Sequence, residues 1–244
     1  MTEASQTEPR SARSEGITTT EPHEGVPMAD LPILYSFRRC PYAMRARMAI
    51  ASADMPVSLR EVLLKDKPPE LLAASSKATV PVLVLPDGSV IDESLDVMQW
   101  ALNANDPQGW LNGAALDSDW IRACDGEFKH WLDRYKYADR YPEHPATTYR
   151  ENAETFLIKV ERALTDLTGL TGDAPSVVDV ALFPFIRQFA GVDPVWWQEA
   201  PFPCTRRWLE GWLGSALFAK IMAKYPRWES GQPGQKFPSE APAT

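Results

Sequence analysis

The stretch "LYSFRRCPYAMRARMAI" (residues 34–50) places a cysteine at the point where a short apolar strand gives way to a helix. Residues 33–37 are apolar and aromatic, which is typical of a buried strand. Pro41 favours the first turn of a helix, because its missing N–H would have no partner there in any case. The alanines, methionines and arginines that follow are good helix formers and carry the helix to about Ala53. We therefore predict Cys40 at or next to the N-cap of this helix.

The overall composition limits the classes of protein to which the chain can belong. Its 244 residues, 44% of them hydrophobic, are enough for one large domain or two modest ones with a buried core. No window approaches eighteen consecutive apolar residues, so no membrane span is predicted. The formal net charge of −8 disfavours generic binding to nucleic acid or to anionic membranes, which requires a basic face. We expect a cytoplasmic protein that binds neither nucleic acid nor membranes.

The cysteines and histidines give no sign of a metal site. There are three of each, and the cysteines at positions 40, 124 and 204 are widely separated and odd in number. This pattern indicates neither a disulfide framework nor a zinc cluster. We predict no metal ligands, and we interpret Cys124 and Cys204 as structural.

The first half of the chain alternates strand-like and helix-like segments. Beyond the opening strand and helix, we predict a strand at 57–64, a short helix at 67–75, a hairpin within 80–91 and a helix at 93–102. The order β-α-β-α-β-β-α combines a parallel βαβ unit with an antiparallel hairpin. It predicts an α/β domain on a mixed four-stranded sheet.

The second half of the chain is predicted to be all-α. "NANDPQGWLNGAA" (103–115) is dense in turn-forming residues and marks a linker. Strand-like runs vanish beyond it, and long helical patterns follow at about 117–140, 147–168, 177–190, 205–213 and 215–224. The predicted boundaries are a disordered N-terminal tail at 1–30, the α/β domain at 31–104, the linker at 105–116, a helical-bundle domain at 117–226 and a C-terminal tail at 227–244.

Cys40 has surroundings that suit a reactive thiol. A thiolate at a helix N-terminus is stabilised by the helix dipole and by unpaired backbone N–H groups. Arg38, Arg39 and Arg45 are expected to add positive potential. Dithiol redox proteins carry a second cysteine where this chain has Ala43, so Cys40 would form a mixed disulfide that an external thiol resolves. The alternative is a small buried hydrophobic residue. The helix N-terminus that would support the thiolate comprises Pro41, Tyr42 and Ala43.

Two further segments are candidate ligand-binding elements. A Val80-Pro81 pair ahead of a strand indicates a special turn, with a cis peptide bond as one form, that leaves the backbone of Val80 free for an extended peptide ligand. The alternative is a trans bond that simply opens the strand. Glu93 and Ser94 begin a helix directly after a strand, where backbone N–H groups bind carboxylates. The alternative there is a plain N-cap with an acidic first turn.

Four motifs in register make residues 31–102 similar to the first domain of glutathione transferases, and in particular to the cysteine-type omega class. The resemblance implies a thioredoxin-like fold for this half of the chain and an all-α second domain. It also implies that glutathione is a co-substrate and that the protein forms a homodimer. The motifs are Cys40-Pro41-Tyr42-Ala43, Lys65-Asp66-Lys67-Pro68, Val80-Pro81-Val82-Leu83 and Glu93-Ser94.

The resemblance also implies roles for individual residues. Cys40 would face the sulfur of glutathione and form a mixed disulfide with it, and Lys67 would contact a carboxylate of the tripeptide. Val80, ahead of a cis-Pro81, would pair through its backbone with the cysteinyl part. The γ-glutamyl amine and carboxylate would be held by Glu93 and Ser94. These charges suit a ligand with two carboxylates and one ammonium group.

The helical half contributes two predictions. Ser176 and Asp179 have the spacing of a capping box, with an acidic residue in the usual Glu position, and we expect them to serve folding. Trp131 and Tyr135 are spaced i, i+4 on one helix face. They are the candidates for a second-substrate pocket, with ordinary core packing as the alternative.

Three functions remain open on the sequence alone. The leading one is a glutathione-dependent thiol transferase or reductase in which Cys40 is the nucleophile. The second is conjugation of glutathione to a hydrophobic electrophile, for which Tyr35 or Ser36 would have to supply a hydroxyl to the glutathione thiolate. The third is a non-enzymatic interaction module on the same fold.

Overall fold

The structure, a computed structural model, describes residues 27–239, and its first domain is built on a mixed five-stranded sheet. The first two strands are parallel, and the third and fourth form an antiparallel hairpin. From one edge to the other, the strands are β4 (Val90–Ile91), β3 (Val82–Val84), β1 (Ile33–Ser36), β2 (Val57–Glu61) and β5 (Gln235–Phe237).

The helix that connects the parallel strands lies at the centre of the molecule. This helix, α1 (Pro41–Ser52), packs on the third helix of the first domain and also on the second domain. Every residue of α1 except Tyr42 and Ser52 is buried as a result, Arg45 and Arg47 included. Charged side chains are almost never fully buried without partners, so these two arginines require them. The other helices of the first domain are α2 (Pro69–Ala74) and α3 (Ser94–Ala104).

The fifth strand corrects the prediction of a four-stranded sheet. β5 pairs antiparallel with β2, with Phe237 opposite Val57, and the Phe237 side chain is fully buried. The segment before it is also attached, since the Trp228 N–H donates to the Glu61 carbonyl at 2.8 Å. The prediction of a C-terminal tail at 227–244 is therefore wrong for residues 235–237, which form this strand. Three residues are too few to show strand alternation, and they pair because β2 would otherwise present an open edge.

The predicted N-terminal tail lies largely outside the described part of the chain. Residues 1–26 and 240–244 fall outside it, so the expectation of disorder at 1–26 stays a prediction. Met28–Asp30, which the same prediction covered, forms a short 3-10 turn whose carboxyl end leads into β1.

The second domain is all-α, as predicted. The long segment predicted at 117–140 is divided by a π-helical turn, Cys124–Phe128, and a short helix at 194–199 was not predicted because six residues carry too little periodicity. No helix within residues 27–239 is long and apolar enough to cross a membrane. The helices are α4 (Asp119–Ala123), α5 (Lys129–Lys136), α6 (Ala146–Asp166), α7 (Val177–Ala190), α8 (Pro194–Glu199), α9 (Pro203–Leu213) and α10 (Ala216–Ile221).

The capping box predicted at the start of α7 is confirmed. The Ser176 hydroxyl accepts a hydrogen bond from the Val178 N–H at 3.2 Å, and the Asp179 carboxylate accepts one from the Ser176 N–H at 2.9 Å. Asp179 is fully buried and also accepts from the Leu170 N–H at 3.0 Å and from the Trp208 indole N–H at 2.9 Å. The carboxylate therefore joins the start of α7 to the preceding loop and to α9.

A second carboxylate, on α6, caps the neighbouring helix α9. Glu161 accepts hydrogen bonds from the N–H groups of Cys204 and Thr205 at 2.9 and 2.8 Å, and from the Thr205 hydroxyl at 2.8 Å. Desolvation opposes its ionisation, but these hydrogen bonds together outweigh it and hold the pKa of Glu161 below its usual value.

Glu161→Gln is expected to destabilise the protein by about 1–2 kcal/mol at pH 7, because the amide keeps one acceptor oxygen and loses the charge. The folded-state pKa of Glu161 is lowered, so its contribution is present above the ordinary glutamate value of 4.5 and is lost as the pH falls through the folded-state value. Urea unfolding of both proteins at several pH values between 7 and 3 checks this. Glu154→Gln is the control, since Glu154 lies on the same helix and pairs with Arg150 one turn away. If the loss of unfolding free energy in Glu161→Gln stays constant down to pH 3, the capping role of the Glu161 carboxylate is contradicted.

Candidate active site

Cys40 lies at the N-cap of α1, as predicted, with Pro41 in the first helical position. β1 ends at Ser36, and the turn that follows is closed by a hydrogen bond from the Cys40 N–H to the Phe37 carbonyl at 3.0 Å. The Cys40 side chain is partly exposed and makes no hydrogen bond to its own helix. Its sulfur lies 3.7 Å from the Val80 carbonyl oxygen. The thiol is thus accessible beside the loop that precedes β3.

The cis peptide bond predicted as one form of the Val80-Pro81 turn is confirmed. Val80 and Pro81 form one wall of an open cavity of about 490 Å³, and the first turn of α3, with Glu93 and Ser94, forms another. The structure therefore brings four of the five predicted glutathione-binding residues to one cavity, next to Cys40. The fifth, Lys67, is partly buried ahead of α2 and is not among the residues that line this cavity.

The cavity also has a wall that the sequence analysis did not anticipate. Asp125, in the π-helical turn of the second domain, lines it together with Arg45 from α1. The Arg45 guanidinium is 2% exposed and forms a bidentate ion pair with Asp125 at 2.9 and 2.7 Å. The expectation that Arg45 adds free positive potential near Cys40 is therefore wrong, because its charge is paired within the cavity wall.

Glu93 is already engaged in an ion pair with a lysine. Lys77 Nζ lies 2.6 Å from a Glu93 carboxylate oxygen and 3.0 Å from an Asp92 oxygen. All three side chains are partly exposed, so these pairs are screened by water and cost little to exchange. The Glu93 carboxylate thus already accepts an ammonium group, which is the group that the resemblance assigns to it.

A second buried arginine, Arg47, holds the turn that carries Cys40. Its guanidinium is 1% exposed and donates to the Ser36 hydroxyl at 2.5 Å and to the Arg38 carbonyl at 2.7 Å. It also donates to the Ile221 carbonyl at the end of α10, at 3.2 Å. Burial lowers the pKa of Arg47 to about 10, and the negative charges of Glu61 and Cys40 oppose this lowering.

Arg47→Met is expected to slow alkylation of Cys40 by iodoacetamide at pH 7 about tenfold, because the turn that holds the sulfur at the helix N-terminus loses its support. The rate would be measured in a Cys204→Ser background, since Cys204 is the other partly exposed thiol. Arg206→Met is the control, because Arg206 also donates to backbone carbonyls but lies in the second domain. Equal alkylation rates in the two variants would contradict the role of Arg47.

The hydroxyl groups of Tyr35 and Ser36, near Cys40, are buried. The Tyr35 hydroxyl accepts a hydrogen bond from Arg60 at 2.6 Å, and the Ser36 hydroxyl is fully buried against Arg47. Burial raises the pKa of Tyr35, and it raises that of Tyr42 further, with the Asp125 charge adding to the effect on Tyr42. These tyrosines stay protonated. Tyr35 and Ser36 are buried and do not line the cavity, so neither hydroxyl is placed to donate to a thiolate bound there.

The remaining candidates lie away from the cavity. Trp131 packs against the Tyr149 ring, and Tyr135 is buried against Phe189 in the core of the second domain. Neither lines the cavity beside Cys40, so core packing describes them better than a second-substrate pocket does. Burial raises the pKa of Cys124 well above its usual value, which makes this thiol unreactive. Residues 27–239 contain no cluster of three or more His, Cys, Asp or Glu side chains placed to hold a metal ion.

Sequence reasoning missed Asp125, Lys77 and the actual partners of the buried arginines. Asp125 is 80 positions from Arg45, and nothing in its local sequence points to the cavity. One signal was available: two arginines on a helix that consists mostly of alanine, methionine and isoleucine indicate buried charges with distant partners.

The fold and the site define a class: a thioredoxin-like domain whose cysteine caps the first helix beside a cis-proline turn, followed by an all-α domain. Two family models match the chain in the same arrangement. Residues 34–109 match the glutathione S-transferase N-terminal domain, and residues 119–211 match the C-terminal domain of the same family. The chain belongs to the glutathione S-transferase superfamily.

Individual relatives agree with this assignment. The chain is 29% identical over 173 residues to glutathione S-transferase U22 of Arabidopsis thaliana, a match covering 66% of this chain and 75% of the relative. It is 30% identical over 95 residues to glutaredoxin 2 of Escherichia coli K12, covering 38% of this chain and 43% of that protein. A crystal structure of a Pseudomonas fluorescens glutathione transferase family member with two bound glutathione molecules has a TM-score of 0.67 at 17% identity. It covers 80% of this chain and 93% of that one.

Proposed function

We propose that this protein is a glutathione-dependent thiol transferase or reductase of the cysteine type, similar to the omega class. The observation that carries the proposal is the position of Cys40. Cys40 is partly exposed at the N-cap of α1, and its sulfur is 3.7 Å from the carbonyl of Val80, a residue that lines the cavity together with Glu93 and Ser94. A helix N-terminus stabilises a thiolate as nucleophile and as leaving group, and a thiol transferase needs both.

The residues around the cavity fit the chemistry of glutathione as a substrate. Its γ-glutamyl end carries one ammonium and one carboxylate group. Glu93 already accepts the Lys77 ammonium, and the first turn of α3 offers N–H groups and the Ser94 hydroxyl for a carboxylate. In this proposal the backbone of Val80, ahead of Pro81, pairs with the cysteinyl part. Lys67 takes the second carboxylate.

The proposed reaction has two thiol–disulfide exchanges. The Cys40 thiolate attacks the glutathionyl sulfur of a small mixed disulfide, and a bond forms between the two sulfurs. The other thiol leaves with the electron pair and takes a proton from water. Cys40 then leaves as a thiolate when a second glutathione thiolate attacks the same glutathionyl sulfur, and the product is glutathione disulfide.

Conjugation to a hydrophobic electrophile fits the structure less well. That reaction needs a hydrogen-bond donor to keep the glutathione sulfur as a thiolate. The Tyr35 and Ser36 hydroxyls are buried, and neither residue lines the cavity. A cysteine in the active position would also tend to capture glutathione as a disulfide. The similarity to glutaredoxin 2, although confined to 95 residues, supports the redox chemistry as well.

Incubation with glutathione disulfide followed by intact-mass measurement tests the proposal. We expect one added glutathionyl group per chain, located on the peptide that contains Cys40 and removed by free glutathione. Cys204→Ser should be modified like the wild type, because Cys204 lies on α9 in the other domain. An unmodified Cys40, combined with conjugation of an aromatic halide, would favour the conjugating alternative. Binding of glutathione with neither reaction would favour the interaction module.

The proposal includes a cytoplasmic homodimer. A single nucleophilic cysteine without a resolving partner depends on a reducing pool of external thiol, which the cytoplasm supplies. The resemblance implies pairing of the first domain of one subunit with the helical domain of the other. Sedimentation equilibrium should give twice the chain mass of 27.3 kDa, and a monomer would contradict this part of the proposal.

A further inference from the structure

Residues 225–237, which we call the C-terminal strap, return from the helical domain and lie along the first domain. Two apolar side chains anchor the strap: Trp228 is 6% exposed and Phe237 is fully buried. The Trp228 ring also lies 4.3 Å from the central carbon of the Arg60 guanidinium. At Gly234 the strap lies so close to β2 that an added side-chain carbon would be 3.0 Å from the Leu59 carbonyl oxygen. Burial and strand pairing therefore hold the strap in place.

The strap also reaches the segment that leads into α2. The Arg227 guanidinium pairs with the Asp66 carboxylate, and the Ser230 hydroxyl donates to the Glu70 carboxylate. The hydrogen bond from Ser230 lowers the pKa of Glu70, so this carboxylate stays ionised at neutral pH. These two acidic residues lie one position before and three positions after Lys67.

Lys67 has no other carboxylate within five positions of it in the sequence. Within residues 27–239 its ammonium forms no ion pair, and both neighbouring carboxylates are instead engaged by the strap. The Arg227–Asp66 pair is exposed, and exposed pairs contribute little to stability. Holding the strap is therefore a poor explanation for these contacts, because Trp228 and Phe237 already do so. Their clearest consequence is at Lys67, whose charge is left without a local partner.

We infer that Arg227 and Ser230 are positioning residues of the glutathione site, because they engage the carboxylates of Asp66 and Glu70 and so keep the Lys67 ammonium available to a ligand. The inference rests on the proposed function, in which Lys67 takes the second carboxylate of glutathione, that of the glycyl residue. It makes the C-terminal strap part of substrate recognition. Both family matches end before the strap, at residues 109 and 211.

The strap is packed close to the proposed reaction centre as well. Trp228 belongs to the same cluster of buried apolar side chains as Leu71 of α2 and Val80, and Cys40 packs against that cluster. The segment that contacts Asp66 and Glu70 is therefore continuous with the packing around the thiol. A change in Arg227 or Ser230 leaves these apolar contacts intact, so it should alter recognition of the glycyl end without moving Cys40.

Calorimetric titration with two ligands tests the inference. One is glutathione, and the other is glutathione amide, in which a neutral carboxamide replaces the glycyl carboxylate. The wild type should prefer glutathione about tenfold, the size expected for a contact to a charged group. Arg227→Met should reduce this preference to about threefold, because the freed Asp66 carboxylate then competes with the ligand for Lys67 as an exposed ion pair does.

A second substitution distinguishes this competition from a loss of structure or of net charge. Arg227→Met combined with Asp66→Asn removes the competing carboxylate and should restore the tenfold preference. Arg227→Met combined with Glu229→Gln has the same net charge but keeps Asp66, so its preference should stay at about threefold. Thermal unfolding of each variant verifies that the strap remains folded. Ser230→Ala, alone and combined with Glu70→Gln, repeats the comparison at the other carboxylate.

The outcomes separate this inference from the proposed function. Arg207→Met removes an exposed arginine of α9 that lines a different cavity, and it should keep the tenfold preference. The inference is overturned, and the thiol transferase proposal left standing, by equal affinity of the wild type for the two ligands or by an unchanged preference in Arg227→Met. A reduced preference that Asp66→Asn fails to restore overturns it in the same way. A wild type that binds neither ligand overturns both.

Discussion

Cys40→Ser is expected to abolish the glutathione-dependent reduction of a small mixed disulfide, lowering kcat/KM by at least about 1,000-fold. A serine hydroxyl stays protonated near pH 7 and cannot form a disulfide, so both exchange steps are lost together. The charged contacts of the site do not depend on the sulfur, because the hydrogen bond that the Cys40 side chain makes within residues 27–239 goes to the Val80 carbonyl. Turnover of the mixed disulfide of glutathione and 2-mercaptoethanol, followed by coupled NADPH consumption, measures the effect.

Cys40→Ser should keep its affinity for glutathione although it loses activity. Glutathione affinity, measured by calorimetry, should change by less than about threefold, since the ammonium and carboxylate contacts remain. Cys204→Ser is the matched control: it removes a partly exposed thiol of the helical domain and should keep full activity. Residual reduction by Cys40→Ser within tenfold of the wild type would show that Cys40 is not the nucleophile.

Asp179→Ala is expected to lower the free energy of unfolding by about 4 kcal/mol, because it removes a buried group on which several polar groups depend. The N–H groups of Ser176 and Leu170 and the Trp208 indole would each lose their acceptor in a fully buried environment. Asp179→Asn keeps one of the two acceptor oxygens, and it should lower the free energy of unfolding by about half as much. Urea unfolding followed by tryptophan fluorescence and by circular dichroism measures both variants.

Asp193→Ala provides the matched control for Asp179. Asp193 also begins a helix, but its carboxylate accepts one helix-capping bond, from the Trp196 N–H at 3.0 Å, at a partly exposed position. We expect Asp193→Ala to lower the free energy of unfolding by about 1 kcal/mol. Similar losses at the two positions would indicate that Asp179 is an ordinary N-cap and that its contacts to the preceding loop and to α9 contribute nothing.

The elements that local rules govern could be predicted from the sequence. Pro41 after Cys40 sets the start of α1, and the Ser176–Asp179 spacing sets the start of α7, because caps form between residues within one helical turn. The Val80-Pro81 turn and the Glu93-Ser94 pair were found for the same reason. Each is a short motif next to a strand.

The elements that depend on distant partners could not be predicted. β5 forms because three residues near the C-terminus reach the open edge of β2, and so short a segment has no periodicity to detect. The partner of Arg45 also lies far away in the sequence. Arg45 was expected to add positive potential near Cys40, but its charge is paired with Asp125 of the second domain.

The sequence by itself therefore determined that a cysteine begins the first helix of a thioredoxin-like domain, beside a turn and a helix start suited to a small peptide with charged ends. Only the tertiary structure decided which charges remain available to that ligand. Packing of the helical domain on α1 buries Arg45 and Arg47, and a buried guanidinium must find acceptors wherever the chain brings them. Those acceptors are Ser94 and Asp125 for Arg45, and the Cys40 turn with the end of α10 for Arg47.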